Sequence, residues 1–258
     1  MLSVDKKDGI ARVTLDRPEV RNAFDDALIS RLTEAFLDVE NDKGIRALVL
    51  AGNGPAFCAG ADLNWMKRMA GYGYRENLAD ARALADMLAT LDRMPKPTIA
   101  RVHGPAFAGG TGLVAACDIA IGSAGAKFCF SEAKLGLSPA TISPHVIRAI
   151  GERAARRYFL TAEVFDAQEA LRIGMLSILT DRLDETIDEL LKHLLAGGPE
   201  ALGKIKDLVR TVSNQALDDG LVAETAKRIA EIRVSPEGKE GIASFLEKRK
   251  PAWSSRKS

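Results

Sequence analysis

Charge of either sign is missing from the balance of this sequence: 36 Lys and Arg stand against 35 Asp and Glu in 258 residues, a formal net charge of +1. A protein held to nucleic acid or to an anionic membrane by its overall field is thereby excluded. Cysteine is scarce, with three residues (Cys58, Cys117, Cys129), and histidine equally so. Neither a disulfide framework nor a zinc-ligand spacing can be built from them, and no metal is expected. Long apolar runs are also missing. The longest, Leu113 to Ala126, is interrupted by Asp118, Gly122 and Ser123 and is too short for a bilayer span. The opening residues Met1 to Gly9 carry early acidic residues and no apolar stretch, so no leader is expected and the cytoplasm is the expected compartment. Finally, G-x-S-x-G, P-loop and H-E-x-x-H signatures are absent. Gly110-Thr-Gly112-Leu-Val-Ala115 fits G-x-G-x-x-A with Glu132 twenty residues on, but a further strand, Lys127 to Phe130, intervenes before the acid, so a dinucleotide unit is not supported.

What is present is an ordinary globular composition, 47% apolar and 28% charged, in a chain long enough to bury a large core. Asp8-Gly9 between Leu2–Val4 and Ile10–Leu15 predicts a hairpin. Leu28, Leu32, Phe36 and Val39 fall on one face of a helix over 25–40. Strands are predicted at Arg46–Leu50, Thr98–Val102, Asp118–Ile121 and Lys127–Phe130. Leu84, Leu88 and Leu91 line a helix that stops before Pro95-Lys-Pro97, and Leu113–Cys117 forms part of another. From about Ala154 onward the pattern is mostly helical, with its best internal boundary at Ala196-Gly-Gly-Pro199. Mixed strands and helices followed by helices predict an α/β core with a helical C-terminal appendage.

One passage repeats. Gly54-Pro-Ala-Phe-Cys-Ala-Gly-Ala-Asp-Leu63 is echoed by Gly104-Pro-Ala-Phe-Ala-Gly-Gly-Thr-Gly-Leu113, each after a strand and each leading into a helix. Turns of this kind leave free backbone N–H groups at a helix start, and small side chains let a ligand come close to them. Two of them facing one point would form an anion or oxyanion site; alternatively, both are tight turns whose glycines serve packing alone.

Taken together, Phe57–Leu63, Lys96–Gly104, Gly109-Gly110, Ala116–Ala120 and Ser131–Gly136 resemble the enoyl-CoA hydratase/isomerase (crotonase) family. Phe165–Gly174 and Phe245–Trp253 extend the likeness over nearly the whole chain. Within that family, Asp62–Met69 and Gly112–Asp118 look like bacterial 3-methylglutaconyl-CoA hydratase-type members. The resemblance implies an α/β fold, a crotonase-like spiral of ββα repeats over residues 1–195, and a helical trimerisation region over 196–258. It further implies a homotrimer or a hexamer of paired trimers, an acyl-CoA substrate, and no cofactor beyond the CoA moiety. By position, the backbone N–H groups of Ala61 and Gly109 would form an oxyanion hole and Glu132 would carry the proton. Its pKa would be raised by the apolar surroundings of Phe128 and Phe130. The backbone around Arg21, Ala23 and Ala59, with Asp62 and Leu63 beside it, would hold the CoA moiety. Lys248 would approach the CoA phosphates across a subunit boundary.

The chain departs from the two-glutamate pattern of that family. Gly112 stands at the position of the second glutamate, Ala108 at that of a third glycine, and Leu137–His145 replaces a glycine-rich loop. Three activities remain open: hydration with Glu132 as sole carboxylate, helped by His145 or Ser143; isomerisation of the double bond; and acyl-CoA binding without turnover. Hydration is favoured by the surrounding motifs. His103 reads as a core or turn histidine, His145 either as a helper of Glu132 or at least as readily as a helix-surface residue, and His193 as a solvated helix residue. Cys58 and Cys117 read as small apolar fillers, Asp62 as a helix cap, and Asp118 as a structural residue opening a strand. Trp65, Met66 and Met69 read equally as core or as acyl-pocket lining. Lys67 and Arg68 read first as a solvated basic face and second as a counter-charge for a distal carboxylate.

Overall fold

Apolar alternation in Ile10–Leu15 buries Ala11, Val13 and Leu15 on one face, while the preceding strand is mostly solvated. In the computed structural model, which describes residues 1–213 and 215–254, these segments are β1 (Leu2–Lys7) and β2 (Ile10–Leu15), paired antiparallel across Asp8-Gly9. Asp8 and Gly9 both take positive φ, as a tight hairpin requires. The helix expected over 25–40 is α1 (Asp26–Asn41), whose N-cap Asp25 accepts from the Leu28 amide. Its Leu28, Leu32, Phe36 and Val39 are completely buried, each worth roughly 1.5–3 kcal/mol of transfer from water.

The chain then winds through β3 (Ala47–Gly52), α2 (Leu63–Met69), α3 (Tyr74–Arg93), β4 (Thr98–Val102), β5 (Ala106–Phe107) and α4 (Gly109–Ala116). It continues through β6 (Ile119–Gly122), β7 (Lys127–Cys129), α5 (Ser143–Thr161), β8 (Phe165–Asp166), α6 (Ala167–Ile173) and β9 (Ile178–Leu179). Four helices close it: α7 (Leu183–Ala196), α8 (Pro199–Val212), α9 (Asp219–Val234) and α10 (Pro236–Leu246). One sheet has the order β1-β2-β3-β4-β6-β9, parallel after the first pair. A smaller sheet, β5-β7-β8, stands beside it. After β4 the chain passes to the small sheet at β5, returns at β6, and passes over again for β7 and β8 before closing the main sheet with β9, giving successive layers in a spiral.

The strand predicted from Asp118 begins one residue later, because Asp118 is occupied otherwise. Its carboxylate accepts from the Thr98 amide (2.7 Å) and hydroxyl (2.9 Å) and pairs with Lys206 of α8 at 2.7 Å. Its structural reading is thus correct, and it ties the C-terminal helices to the sheet. The Gly197-Gly198 break separates α7 from α8, with Arg46 Nη2 donating to the Gly197 carbonyl at 2.6 Å. The last four residues of the expected C-terminal region lie outside the described residues.

Candidate active site

The two echoing turns are physically adjacent. Cys58 bridges Ala106 in parallel, its amide donating to the Pro105 carbonyl (3.1 Å) and its carbonyl accepting from Phe107 (2.9 Å). The first turn is also bridged from its other side, by Phe24 opposite Ala61. In that bridge Phe24 donates to the Gly60 carbonyl and accepts from the Asp62 amide, both at 2.7 Å. A parallel bridge uses the groups of the flanking residues, so the N–H of Ala61 itself faces away from Phe24. The N–H of Gly109 opens α4, where nothing inside the helix can accept it.

Phe24 joins the two. A side chain at Gly109 would put its Cβ 2.9 Å from Phe24 Cε2, so only glycine admits the ring. Gly60, at φ +96°, carries the first turn past Ala108 in a conformation that side-chain-bearing residues rarely adopt. Phe24 was not singled out by sequence reasoning, nor were Arg17 and buried Asn22. Asn22, at φ +57°, accepts from the Arg17 amide (2.8 Å) and donates to the Asn53 (2.8 Å) and Ala56 (2.9 Å) carbonyls. The available signal was an asparagine, the residue most tolerant of positive φ after glycine, just beyond a proline-started turn.

Glu132 reaches this place through the small sheet. β5 and β7 pair with Phe107 opposite Cys129, and the Ala108 amide donates to the Cys129 carbonyl at 2.8 Å. Gly109 lies two residues past that register and Glu132 three, on a short 3-10 turn over Ser131–Leu135. The aromatic cluster behind it contains Phe130, edge-on to Phe159 at 4.8 Å, and Phe128 stacked on Phe165 at 5.5 Å. Burial pushes the Glu132 carboxyl above the ordinary carboxylate range, partly offset by its own amide. Its Oε2 is buried with no hydrogen-bond partner in the protein.

Position 112 lies one helical turn beyond Gly109. A Cβ there would land inside the Ile142 side chain, 3.0 Å from its Cβ and 3.4 Å from Leu88 Cδ1. Ile142, at the head of α5 and 2% exposed, therefore closes the space a second acid would need.

Arg21 (exposed, φ +54°) abuts the first turn, its carbonyl accepting from the Ala59 amide at 3.0 Å, and Ala23 two residues on is buried. Asp62 caps α2 as expected, accepting from Asn64 (2.8 Å) and Trp65 (3.3 Å), and it also pairs with Arg17 at 3.3 Å. Its carboxylate is thus turned inward, and the neighbouring Leu63 is exposed. Lys248 is exposed in the turn just beyond α10, the helix that packs against α8 and α9. The fold of one chain joins it to the other site residues through no contact among those described.

The expectation for His145 is overturned. It is 7% exposed rather than on a helix surface, and Nδ1 faces Asp92 at 3.7 Å. It lines a cavity with Asp92, Asp118, Arg148 and Ser177, and Glu132 has no part in it. Helical spacing in α5 alone could not reveal that α3 delivers Asp92 to this face. Ser143 donates to the Ala140 carbonyl within its own loop. His103 holds the Gly54 carbonyl at 2.9 Å, as a turn histidine, and His193 is exposed. Trp65 is core, with Nε1 donating to Asp80. Cys58 is buried and its thiol is pushed up to about 12 by desolvation. Arg68 pairs with Asp26 at 2.7 Å, whereas Lys67 is exposed with no ion pair among the described residues. No group of three or more His, Cys, Asp or Glu among the described residues could hold a metal ion, and no described helix is long and apolar enough to cross a membrane.

Residues 5–256 match the family model described as enoyl-CoA hydratase/isomerase. Among solved structures, an enoyl-CoA hydratase from Shewanella pealeana superposes with a TM-score of 0.96 at 45% identity, covering 98% of this chain and 95% of that one. The 2,3-dehydroadipyl-CoA hydratase of Escherichia coli is 32% identical over 99% of both chains. The 1,2-epoxyphenylacetyl-CoA isomerase of the same organism is 33% identical over 95% of both. Relatives of comparable likeness thus carry different reactions on one fold.

Proposed function

The chain belongs to the enoyl-CoA hydratase/isomerase family and has its crotonase fold, and from that premise we propose that it adds water across the α,β double bond of an enoyl-CoA thioester with Glu132 as its only acid/base group. The observation that carries this reading is the half-buried Glu132 carboxyl, with one oxygen lacking any protein partner, beside two turns that each present an amide. The thioester oxygen takes the Ala61 and Gly109 N–H groups. Glu132, ionised, holds a water and accepts its proton as the oxygen bonds to Cβ; the electron pair of the double bond moves onto the thioester as an enolate. Glu132 then returns the proton to Cα. Two aligned donors on the enolate contribute strongly, since losing one costs ~10²–10³ in rate.

The CoA moiety would lie along Arg21, Ala23, Ala59, Asp62 and Leu63, met there by backbone rather than by the engaged Asp62 carboxylate. A branched, carboxylated acyl group of the 3-methylglutaconyl kind is the proposed substrate. Its distal charge would meet Lys67, since Arg68 is engaged by Asp26. No cofactor beyond the CoA moiety is called for. Exposed apolar residues on the C-terminal helices, among them Val209, Phe245 and Leu246, support assembly into a trimer or a hexamer, with Lys248 serving a neighbouring subunit. The three free thiols support a reducing compartment, and with it the cytoplasm.

A second reading, double-bond isomerisation, is favoured by one observation: Ile142 fills the space beside Gly112, and moving a proton between carbons needs no second carboxylate. Turnover of short, branched and carboxylated enoyl-CoAs in ¹⁸O-labelled water decides between them. Loss of enoyl absorbance with label in the product supports hydration, and a shifted double bond without label supports isomerisation. Turnover undiminished in Glu132→Gln would overturn both readings, and a wild type that binds these thioesters without turning any over would leave only acyl-CoA binding.

A further inference from the structure

Ala108 occupies φ +44°, ψ −119°, a conformation open to glycine and costly for any residue with a Cβ. It stands immediately before Gly109. Its methyl faces the first turn, so that a Cβ on Gly60 would lie 3.2 Å from it.

The backbone pairing of the two turns shows what that methyl does. They are stitched together as far as Phe107, whose amide donates to Cys58 at 2.9 Å. At the next residue the stitching ends, because the Ala108 amide turns to the Cys129 carbonyl of β7 at 2.8 Å. The Ala108 carbonyl is taken by α4 itself, through the Thr111 amide (2.9 Å) and hydroxyl (2.5 Å). Past Phe107, then, no backbone hydrogen bond among the described residues joins residues 60–61 to residues 108–109. Two side chains stand there instead: Phe24, bonded through its backbone to Gly60 and Asp62 with its ring against Gly109, and Ala108, whose methyl is aimed at Gly60. We propose that Ala108 is a positioning residue: its methyl, held at a strained backbone angle, sets the gap between the Ala61 and Gly109 amides. This inference rests on the oxyanion reading of those amides and adds the residue that spaces them. Donor spacing matters most for the enolate, whose charge is concentrated on one oxygen, and least for the neutral thioester.

The test is Ala108→Gly, measured three ways. With an enoyl-CoA that the wild type turns over, kcat should fall about tenfold, short of the loss from deleting a donor, with KM within twofold. With acetoacetyl-CoA as probe, the wild type should stabilise the bound enolate, seen by its absorbance at a lower pH than in free solution, and Ala108→Gly should lose most of that shift. The Tm should be unchanged or higher, because glycine relaxes the strained angle. Ala108→Ser, which restores a Cβ, should recover most of the lost rate. A variant Ala108→Gly with wild-type kcat and wild-type enolate shift overturns the proposal, as does a Tm lowered by more than about 4 °C, which would show no strain to relieve. A wild type that itself binds acetoacetyl-CoA without stabilising its enolate refutes the oxyanion reading, and the Ala108 proposal with it. The two failures are therefore told apart by which protein lacks the signal.

Discussion

Placing an alanine at position 112 asks whether the space beside α4 is truly closed. The added Cβ would overlap Ile142, 3.0 Å from its Cβ, with Leu88 Cδ1 at 3.4 Å. Both neighbours are fully buried, so neither can swing into solvent. Overpacking of this size costs about 1–3 kcal/mol, set against roughly 1 kcal/mol that alanine gains over glycine inside a helix. Gly112→Ala alone should therefore lose about 0–2 kcal/mol. Ile142→Ala alone removes three carbons from the core and should lose about 2–5 kcal/mol. In the double variant the clash with the Ile142 Cγ2 methyl is gone, the Cβ that alanine keeps still stands 3.0 Å away, and the new methyl occupies part of the void. The pair should thus be more stable than the sum of the singles by about 1–3 kcal/mol. Urea unfolding at fixed protein concentration measures all four proteins, since assembly would otherwise move the midpoints. Additivity within about 0.5 kcal/mol would refute the packing argument. The chemical claim depends on the same cycle. If residue 112 has room, a second carboxylate could be housed there, and the sole role assigned to Glu132 loses its structural reason.

Three further outcomes are expected. Glu132→Gln should lower kcat by ~10²–10⁴ while sparing acyl-CoA affinity. Because burial raises the Glu132 pKa, the folded protein keeps its proton after the unfolded chain has released it. Stability therefore falls as pH rises from the ordinary carboxylate range through the folded pKa. The Gln variant, which never ionises, should match the wild type in acid and exceed it at pH 7; equal stability at both would contradict the desolvation. The acid limb of the kcat/KM profile should correspondingly lie above the range of an ordinary carboxylate. Asp62→Ala removes the α2 cap and one of the two carboxylates on Arg17, the other being Asp25 at 2.7 Å. It should cost about 1–2 kcal/mol in urea, and a loss below 0.3 kcal/mol would show that the cap carries no weight. Cys58, with its thiol pushed up to about 12, should resist a thiol reagent at pH 8 until the protein unfolds. Rapid labelling of native Cys58, located by peptide mapping, would show that the first turn opens.

Much of the fold was legible because its signals are local. A helix announces itself within its own length, through the spacing of Leu28, Leu32, Phe36 and Val39 and through Asp62 as a cap, the caps Asp25 and Asp166 being seen only in the structure. The repeated glycine-alanine turns could be matched to one another on spacing, and the motif around Ser131–Gly136 pointed to Glu132. Less legible were the features in which one segment answers a distant one. Gly112 reads in the sequence as a missing acid; only the packing of α5 on α4 reveals that Ile142, thirty residues on, fills the space. His145 reads as solvated on helical spacing, yet α3 brings Asp92 against it. Lys67 and Arg68 look equivalent until α1 presents Asp26 to one of them.

The sequence by itself determined most of the longer elements and the two bends, since each follows from torsional preference, capping or periodicity within a few residues, and its motifs singled out Glu132 as the candidate carboxylate. Tertiary structure alone decided that Phe24 bridges one bend and lies against the other, that the Ala61 amide is turned away from that bridge, and that Glu132 retains an unanswered oxygen. Those outcomes depend on strand order and register, which place segments far apart in the chain side by side, and no local pattern encodes which neighbour a free amide or a buried carboxyl will meet.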